Sequence, residues 1–80
     1  MHELGVLRHA LKTVCDIAEK HNIKCIKFIT LEVGEASSVV PAFLKKLFPV
    51  AIESVPLFSN AQLRIVRAPG NGLIIKEIGY

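Results

Sequence analysis

The stretch Ile29-Thr30-Leu31-Glu32-Val33-Gly34 decides the fold, because the spacing of apolar residues changes there from helical to alternating. Apolar, mostly β-branched side chains at every second position are typical of a strand with one buried face. We predict a strand over residues 23–33, with the apolar phase of this stretch facing the helices and Gly34 ending it. Phe28 falls on the other phase. Either the outer face is partly covered, for example by a second subunit, or Phe28 is exposed.

Two amphipathic helices are predicted on either side of this strand. The first covers residues 4–18, where apolar side chains recur at spacings of three and four. It should end near Asn22, because asparagine tolerates the left-handed conformation that closes a helix. The second should start around Pro41, with an N-cap from the Ser37-Ser38 pair. Pro49 predicts a kink or a new helix start, because proline lacks an N–H and clashes with the preceding turn.

Two further strands are predicted over residues 61–67 and 73–78, after a connecting loop at residues 57–60. The turn Pro69-Gly70-Asn71-Gly72 between them has Asn-Gly at its centre, which predicts an antiparallel hairpin. The order of elements is therefore helix, strand, helix, strand, strand. This order predicts an α+β domain in which two helices pack on one face of a three-stranded sheet.

Composition restricts the class of protein. The chain has 80 residues, which is enough for one small domain, and 51% of them are apolar. The formal charge of +3 comes from scattered lysines and arginines, whereas a nucleic-acid-binding surface needs them clustered on one face. No apolar stretch approaches the ~18 residues of a membrane span. We therefore expect a cytoplasmic protein whose partners are neither nucleic acid nor membrane.

Cysteine usage agrees with a reducing compartment. Cys15 and Cys25 form neither a CxxC metal half-site nor a disulfide framework. Cys15 lies near the edge of the apolar stripe of the first helix and is predicted to be a core residue. His9 lies almost opposite that stripe and is predicted to be solvated. The sequence also lacks the GxSxG, HExxH and P-loop motifs, so we predict that the protein is not an enzyme.

The first three residues, Met1-His2-Glu3, place an imidazole and a carboxylate beside an α-amino group. Nitrogen donors suit Ni(II) and Cu(II), and a compact nitrogen set favours their square-planar geometry. The large side chain that follows Met1 should keep this residue on the mature protein, with its amine available. The plain alternative is a solvated histidine on a frayed end of the chain.

Three segments, taken in order, resemble one family. Met1-His2-Glu3-Leu4 opens directly into a helix, Thr30-Leu31-Glu32-Val33-Gly34-Glu35 closes the first strand, and Val39-Val40-Pro41 opens the second helix. Together they resemble the HypA family, which are nickel metallochaperones for [NiFe]-hydrogenase maturation and, in some bacteria, for urease. The likeness extends over nearly the whole chain.

The resemblance implies a metal, its ligands and its partners. His2 would be the essential Ni(II) ligand, assisted by backbone nitrogens near residues 1–3. Glu3 would support the site and the partner contacts, so the implied metal residues are His2, Met1 and Glu3. The implied partners are the maturation GTPase and the hydrogenase large-subunit precursor.

The sequence departs from the family pattern in one large respect. Family members carry a zinc domain with two CxxC pairs, inserted before a last strand that resembles residues 73–78. Here the turn at residues 69–72 stands in its place, so residues 1–80 would form a single nickel-binding domain with no structural zinc. A divergent, metal-free interaction module is the alternative function. A homodimer, or a dimer that exchanges strands across the hairpin, is also expected from the exposed sheet face and edges.

Overall fold

A computed structural model describes residues 2–80 of the chain. The elements, in chain order, are helix α1 (Glu3–Lys20), strand β1 (Phe28–Gly34), helix α2 (Pro41–Ala51), a 3-10 turn (Pro56–Phe58), strand β2 (Gln62–Ala68) and strand β3 (Leu73–Gly79). The predicted order of elements and the α+β class are confirmed. Of the two helices described within residues 2–80, neither is both long enough and apolar enough to cross a membrane.

Helix α1 ends as its sequence predicts. Asn22 has a φ of 60°, and the N–H of Ile23 donates to the carbonyl of Ala18 over 2.8 Å. The N–H of Asn22 donates to Glu19 over 3.3 Å, so the two bonds together form a Schellman closure. The chain therefore leaves α1 in a fixed direction and enters the sheet after only a few residues.

The first strand is shorter than predicted, because β1 begins at Phe28 and the prediction over residues 23–27 is wrong. Residues 23–27 lead from α1 into β1. Within them the N–H of Ile26 donates to the carbonyl of Leu57 over 2.9 Å, so this N–H is bonded to the 3-10 turn and not to a neighbouring strand. The Ile26 side chain is fully buried. The apolar residues that suggested a longer strand are therefore explained by burial in the core.

The sheet has the strand order β2-β1-β3, with β1 in the middle. Strand β2 runs parallel to β1 and β3 runs antiparallel to it. The predicted hairpin between β2 and β3 is therefore wrong, because both strands pair with β1. A parallel pair needs a long crossover connection, here containing α2, and this leaves the opposite edge of β1 for β3. The turn at residues 69–72 reverses the chain direction as predicted, but it does so across the end of β1.

Three backbone hydrogen bonds hold this crossing turn and the last residue of β2 against the end of β1. The N–H groups of Gly34, Glu35 and Ala36 donate to the carbonyls of Gly72, Ala68 and Gly70, over 2.7, 2.7 and 2.8 Å. A Cβ on Gly34 would overlap the carbonyl oxygen of Gly70. Gly34 therefore ends the strand, as predicted, because the crossing backbone leaves no room for a side chain.

The core lies between the helices and one face of the sheet. Ile29, Leu31 and Val33 point into it and are at most 1% exposed, as their alternation predicts. The remaining buried apolar side chains come from both helices, from the segments that lead into β1 and α2, and from the 3-10 turn; they are Leu7, Ala10, Leu11, Val14, Ala18, Ile26, Val39, Leu44, Phe48 and Phe58. Phe58 was assigned to a connecting loop from the sequence, yet it is the largest fully buried side chain.

Phe28 packs against residues of its own chain on the outer face of the sheet. The guanidinium carbon of Arg64 lies 3.9 Å from the centroid of the Phe28 ring, a cation–π arrangement. The ring also covers Gly79, its cross-strand partner, at the place where a Cβ would stand. Phe28 is half-buried as a result. A second subunit is not needed to account for this aromatic residue.

Candidate metal centre at the N-terminus

His2 is the N-cap residue of α1 and its side chain is exposed. Its carbonyl accepts the first intrahelical hydrogen bond, from the N–H of Val6 over 2.9 Å. Its backbone (φ −92°, ψ 65°) lies outside the helical region, and its side chain makes no capping hydrogen bond within residues 2–80. The imidazole is thus carried on the end of a long, anchored helix and is not committed to a structural bond there.

Glu3 follows at the first helical position and has the opposite environment. It is only 5% exposed, and its Oε2 accepts a hydrogen bond from the backbone N–H of Val40 over 3.0 Å. Val40 is the N-cap residue of α2. The carboxylate therefore joins the first turn of α1 to the first turn of α2, where both helix dipoles favour a negative charge.

The cap of α2 differs from the prediction for the Ser37-Ser38 pair, which is wrong. The Ser37 Oγ accepts from the N–H of Val39 over 3.1 Å, but Ser37 lies three residues before Val40, which is the N-cap residue of α2. Glu3 instead makes the bond that an N3 glutamate makes in a capping box, but supplies it from another helix. Sequence reasoning could not find this contact, because its two partners are 37 positions apart and neither has a local signature.

A hydrogen bond and burial shift the pKa of the Glu3 carboxyl in opposite directions. The bond from Val40 is the larger effect and lowers the pKa below the ordinary value of 4.5, while desolvation raises it in part. The net result is a depressed pKa. Such a group stabilises the fold above its unfolded pKa, and this contribution is lost as the pH falls through the folded value.

We therefore expect Glu3→Gln to unfold at a temperature a few degrees below the wild type at pH 7, with the gap narrowing as the pH falls below the ordinary pKa of 4.5. Thermal unfolding followed by circular dichroism, in the presence of a chelator, measures this. Glu19→Gln is the matched control, because Glu19 lies on the exposed side of the same helix. A gap of the same size above and below the ordinary pKa of the carboxyl would contradict the assignment of the Glu3–Val40 bond as a charge-dependent one.

A groove of about 630 Å³ runs from His2 along α1, between this helix and strand β3. It is mainly apolar and is lined by His2, Gly5, Val6, His9, Ala10, Thr13, Leu73 and Ile75. His9 is exposed, as predicted, but it shares this groove with His2. The two imidazoles lie on one side of α1, about two helical turns apart, so His9 serves as a chemically matched control for His2.

The other predicted metal residue, Met1, lies outside the described residues. Within residues 2–80, no three side chains of His, Cys, Asp or Glu converge to hold a metal ion. Both thiols lie away from His2. Cys15 is half-buried against the core, as predicted, and its burial raises the pKa of the thiol, whereas Cys25 is exposed.

Sequence comparison assigns the chain to a family. The family described as hydrogenase/urease nickel incorporation, metallochaperone, HypA, matches residues 1–73. The chain belongs to the HypA family. Hydrogenase maturation factor HypA of Trichodesmium erythraeum is 38% identical over 72 residues, covering 90% of this chain and 60% of that protein. The Deinococcus radiodurans factor is 36% identical over 72 residues, covering 90% of this chain and 59% of the relative. The chain thus spans about 60% of the length of these HypA relatives.

Structure comparison confirms the HypA fold. The solution structure of the Ni metallochaperone HypA from Helicobacter pylori superimposes with a TM-score of 0.79, over 96% of this chain and 72% of that one. Sequence identity in this superposition is 19%, so it supports the fold alone. The α+β fold predicted from the order of elements, with two helices and a three-stranded sheet, is therefore confirmed.

Proposed function

We propose that this chain is the nickel-binding unit of a HypA-type metallochaperone for maturation of [NiFe]-hydrogenase or urease, and that it has no catalytic activity. The observation that carries the proposal is the contrast between the environments of two neighbouring side chains, His2 and Glu3. Within residues 2–80, the His2 imidazole is exposed and makes no capping hydrogen bond, while Glu3 beside it is buried and bonded to Val40. A metal-binding terminus needs this combination, because the ligand must be free while its backbone is held in place.

The chemistry of the terminus fits Ni(II). An imidazole, the α-amine of Met1 and the intervening backbone nitrogens form a compact nitrogen set, which favours a square-planar ion. Glu3 contributes by anchoring this tripeptide to α2 rather than by pointing a free carboxylate at the metal. In this proposal His2 and Met1 hold the cargo ion, and Glu3 is the positioning residue.

The proposed partners are the maturation GTPase and the hydrogenase large-subunit precursor, by analogy with the family. We further propose that residues 1–80 form one nickel-binding domain without structural zinc. The short turn at residues 69–72 supports this part of the proposal, because it connects β2 to β3 directly and makes two hydrogen bonds beside the end of β1. A cytoplasmic location suits such a metal-delivery role.

A nickel titration of the untagged chain by calorimetry tests the site. We expect His2→Ala to weaken Ni(II) binding by more than about 100-fold, since loss of groups that only orient a metal ligand already costs 10–100-fold. His9→Ala should bind nickel like the wild type, although it removes an equally exposed imidazole from the same groove. Equal affinities for the wild type and His2→Ala would reject the proposed site.

An N-terminally acetylated form of the chain tests whether the amine takes part. Acetylation of the Met1 α-amine removes this nitrogen as a donor but leaves the imidazole and the Glu3–Val40 bond unchanged. We expect the acetylated chain to lose most of its nickel affinity and the square-planar absorption band. If it binds as tightly as the wild type, the imidazole alone accounts for uptake and Met1 is not part of the site.

The alternative function is a HypA-like interaction module that no longer delivers nickel. A row of exposed apolar side chains on α2 favours a protein-binding role, whether or not nickel is bound. For this alternative, the titration above would show no specific uptake by any variant. Partner binding would then be equal for the wild type and His2→Ala.

A further inference from the structure

Helix α2 is apolar on two sides, and only one of them is buried. Leu44 and Phe48 face the core. On a neighbouring side, Val40, Phe43 and Val50 are 40, 51 and 53% exposed, which makes half of the six large hydrophobic residues exposed within residues 2–80. A helix that is apolar nearly all round is normally covered by other structure. This second side is not covered by any other part of residues 2–80.

The exposed residues have the spacing of a helix–helix seam. Val40, Phe43 and Val50, together with the half-buried Leu47, stand at intervals of three, four and three along the sequence. We call these four residues the α2 stripe. Intervals of three and four place them at the a and d positions of a heptad, which is the pattern that packs one helix against another. We therefore expect the partner segment that packs on this surface to be a helix.

Charge defines the partner further. Residues 36–52 contain two lysines, Lys45 and Lys46, and no acidic residue. In the heptad assignment Lys46 takes the g position, which flanks the stripe. On the side toward α1, a groove of about 550 Å³ adjoins Val50 and includes Arg8 and Lys12 among its lining residues.

Two acidic groups reduce this positive charge without reversing it. Glu53 lines the far end of the same groove, and Asp16 lies 3.7 Å from the Lys12 ammonium in an exposed ion pair. Exposed pairs of this kind are weak. Basic groups therefore lie on both sides of the stripe, and a complementary helix would carry acidic residues along both flanks of its own apolar face.

A second copy of the chain fits this surface poorly. The stripe runs from residue 40 to residue 50, so Lys45 and Lys46 lie at its middle. A parallel pair would place Lys46 beside an uncharged e position of the other copy, and an antiparallel pair would bring the g position of one copy against the g position of the other. Lys46 would then face Lys46 of the partner subunit, with no acid on α2 to offset the repulsion.

We propose that the α2 stripe is a docking surface for an amphipathic helix of a partner protein whose apolar face is flanked by acidic residues. The surface begins at Val40, whose N–H binds the Glu3 carboxylate, so the docked helix would lie beside the proposed nickel terminus. Docking itself requires no metal. Its test is therefore run with a chelator present and is independent of the outcome of the nickel titration.

The test uses two fluorescent peptides of about 20 residues, long enough to form a helix. Both have leucine at a and d; one has glutamate at e and g, and the other has lysine there. Each repels its own copies, so both are compared as monomers. By fluorescence anisotropy, we expect the full chain to bind the glutamate peptide at least 10-fold more tightly than the lysine peptide. A Lys45→Glu/Lys46→Glu variant should lose most of this preference, because only Arg8 and Lys12 on the other side of the stripe then favour the glutamate peptide.

Single variants then locate the surface. Phe43→Ser should weaken binding of the glutamate peptide at least 10-fold. Ile74→Ser is the matched control, because Ile74 is 55% exposed but lies on strand β3, and it should leave affinity unchanged. Both side chains are exposed, so thermal unfolding should show that both variants remain folded.

Several results would overturn the proposal. These are no binding of the glutamate peptide, equal affinities for the two peptides, or equal effects of Phe43→Ser and Ile74→Ser. Sedimentation equilibrium adds an independent outcome. A wild-type dimer that Phe43→Ser dissociates would assign the stripe to a second copy of the chain instead.

Discussion

Replacing Gly34 by alanine is expected to lower the free energy of unfolding by about 3 kcal/mol or more, the upper range for an overpacked site. The added Cβ would overlap the carbonyl oxygen of Gly70, and would lie 2.7 Å from the Gly70 carbonyl carbon and 2.9 Å from the Asn71 Cα. All three atoms are backbone, so no rotamer change relieves the clash. The crossing turn must move, and its hydrogen bonds to the end of β1 are then strained or lost. Chemical denaturation followed by circular dichroism measures the change.

The same turn supplies two graded controls for Gly34→Ala. At Gly72, no atom of residues 2–80 outside Gly72 and its two chain neighbours lies within 4 Å of the built Cβ, so Gly72→Ala should change stability by less than about 1 kcal/mol. At Gly70 the space is also open, but φ is 98°. Gly70→Ala should therefore cost an intermediate amount, about 1–2 kcal/mol, for the left-handed backbone alone. Similar losses at Gly34 and Gly72 would show that the turn does not press on the end of β1.

Phe58→Ala is expected to destabilise the domain by about 3–5 kcal/mol, because it leaves a cavity in a fully buried site. A domain of this size has a total stability of roughly 4–12 kcal/mol. The variant should therefore be largely unfolded at moderate denaturant concentration. Its melting temperature should fall by tens of degrees, at about 4–8 °C for each kcal/mol.

Phe43→Ala is the matched control, since it makes the same chemical change on a helix surface where the side chain is 51% exposed. We expect a loss below about 1 kcal/mol for Phe43→Ala. If the two variants lost equal stability, Phe58 would not be the core residue that its burial indicates. The comparison also shows that Phe43 can be changed without unfolding the protein, as the docking experiment requires.

Local patterns predicted the elements well, because each pattern depends on neighbours in sequence. Alternation placed Ile29, Leu31 and Val33 in the core, and helical spacing located α1 and α2. Asn22 marked the end of α1 through its own conformational preference. These features follow from the periods of the helix and the strand, so no knowledge of tertiary contacts was needed.

Features that depend on pairing between distant segments were predicted less well. The Asn-Gly turn correctly indicated a chain reversal but not which strand each arm would join. Pro49 predicted a kink or a new helix start; α2 runs through it and ends at Ala51, so a new start is wrong. The one backbone hydrogen bond that Pro49 removes is worth about 0.5–1.5 kcal/mol, against roughly 1.5–3 kcal/mol from burying Phe48 in the core.

For the candidate site, the sequence by itself determined which chemical groups are present and that their order matches the HypA pattern. Only the tertiary structure decided what Glu3 does. Its carboxylate is drawn to the unpaired N–H of Val40, because a buried donor without a partner is costly and a helix N-terminus favours negative charge. Sequence determines local periodicity and side-chain chemistry, whereas the pairing of buried polar groups depends on which segments the folded core brings together.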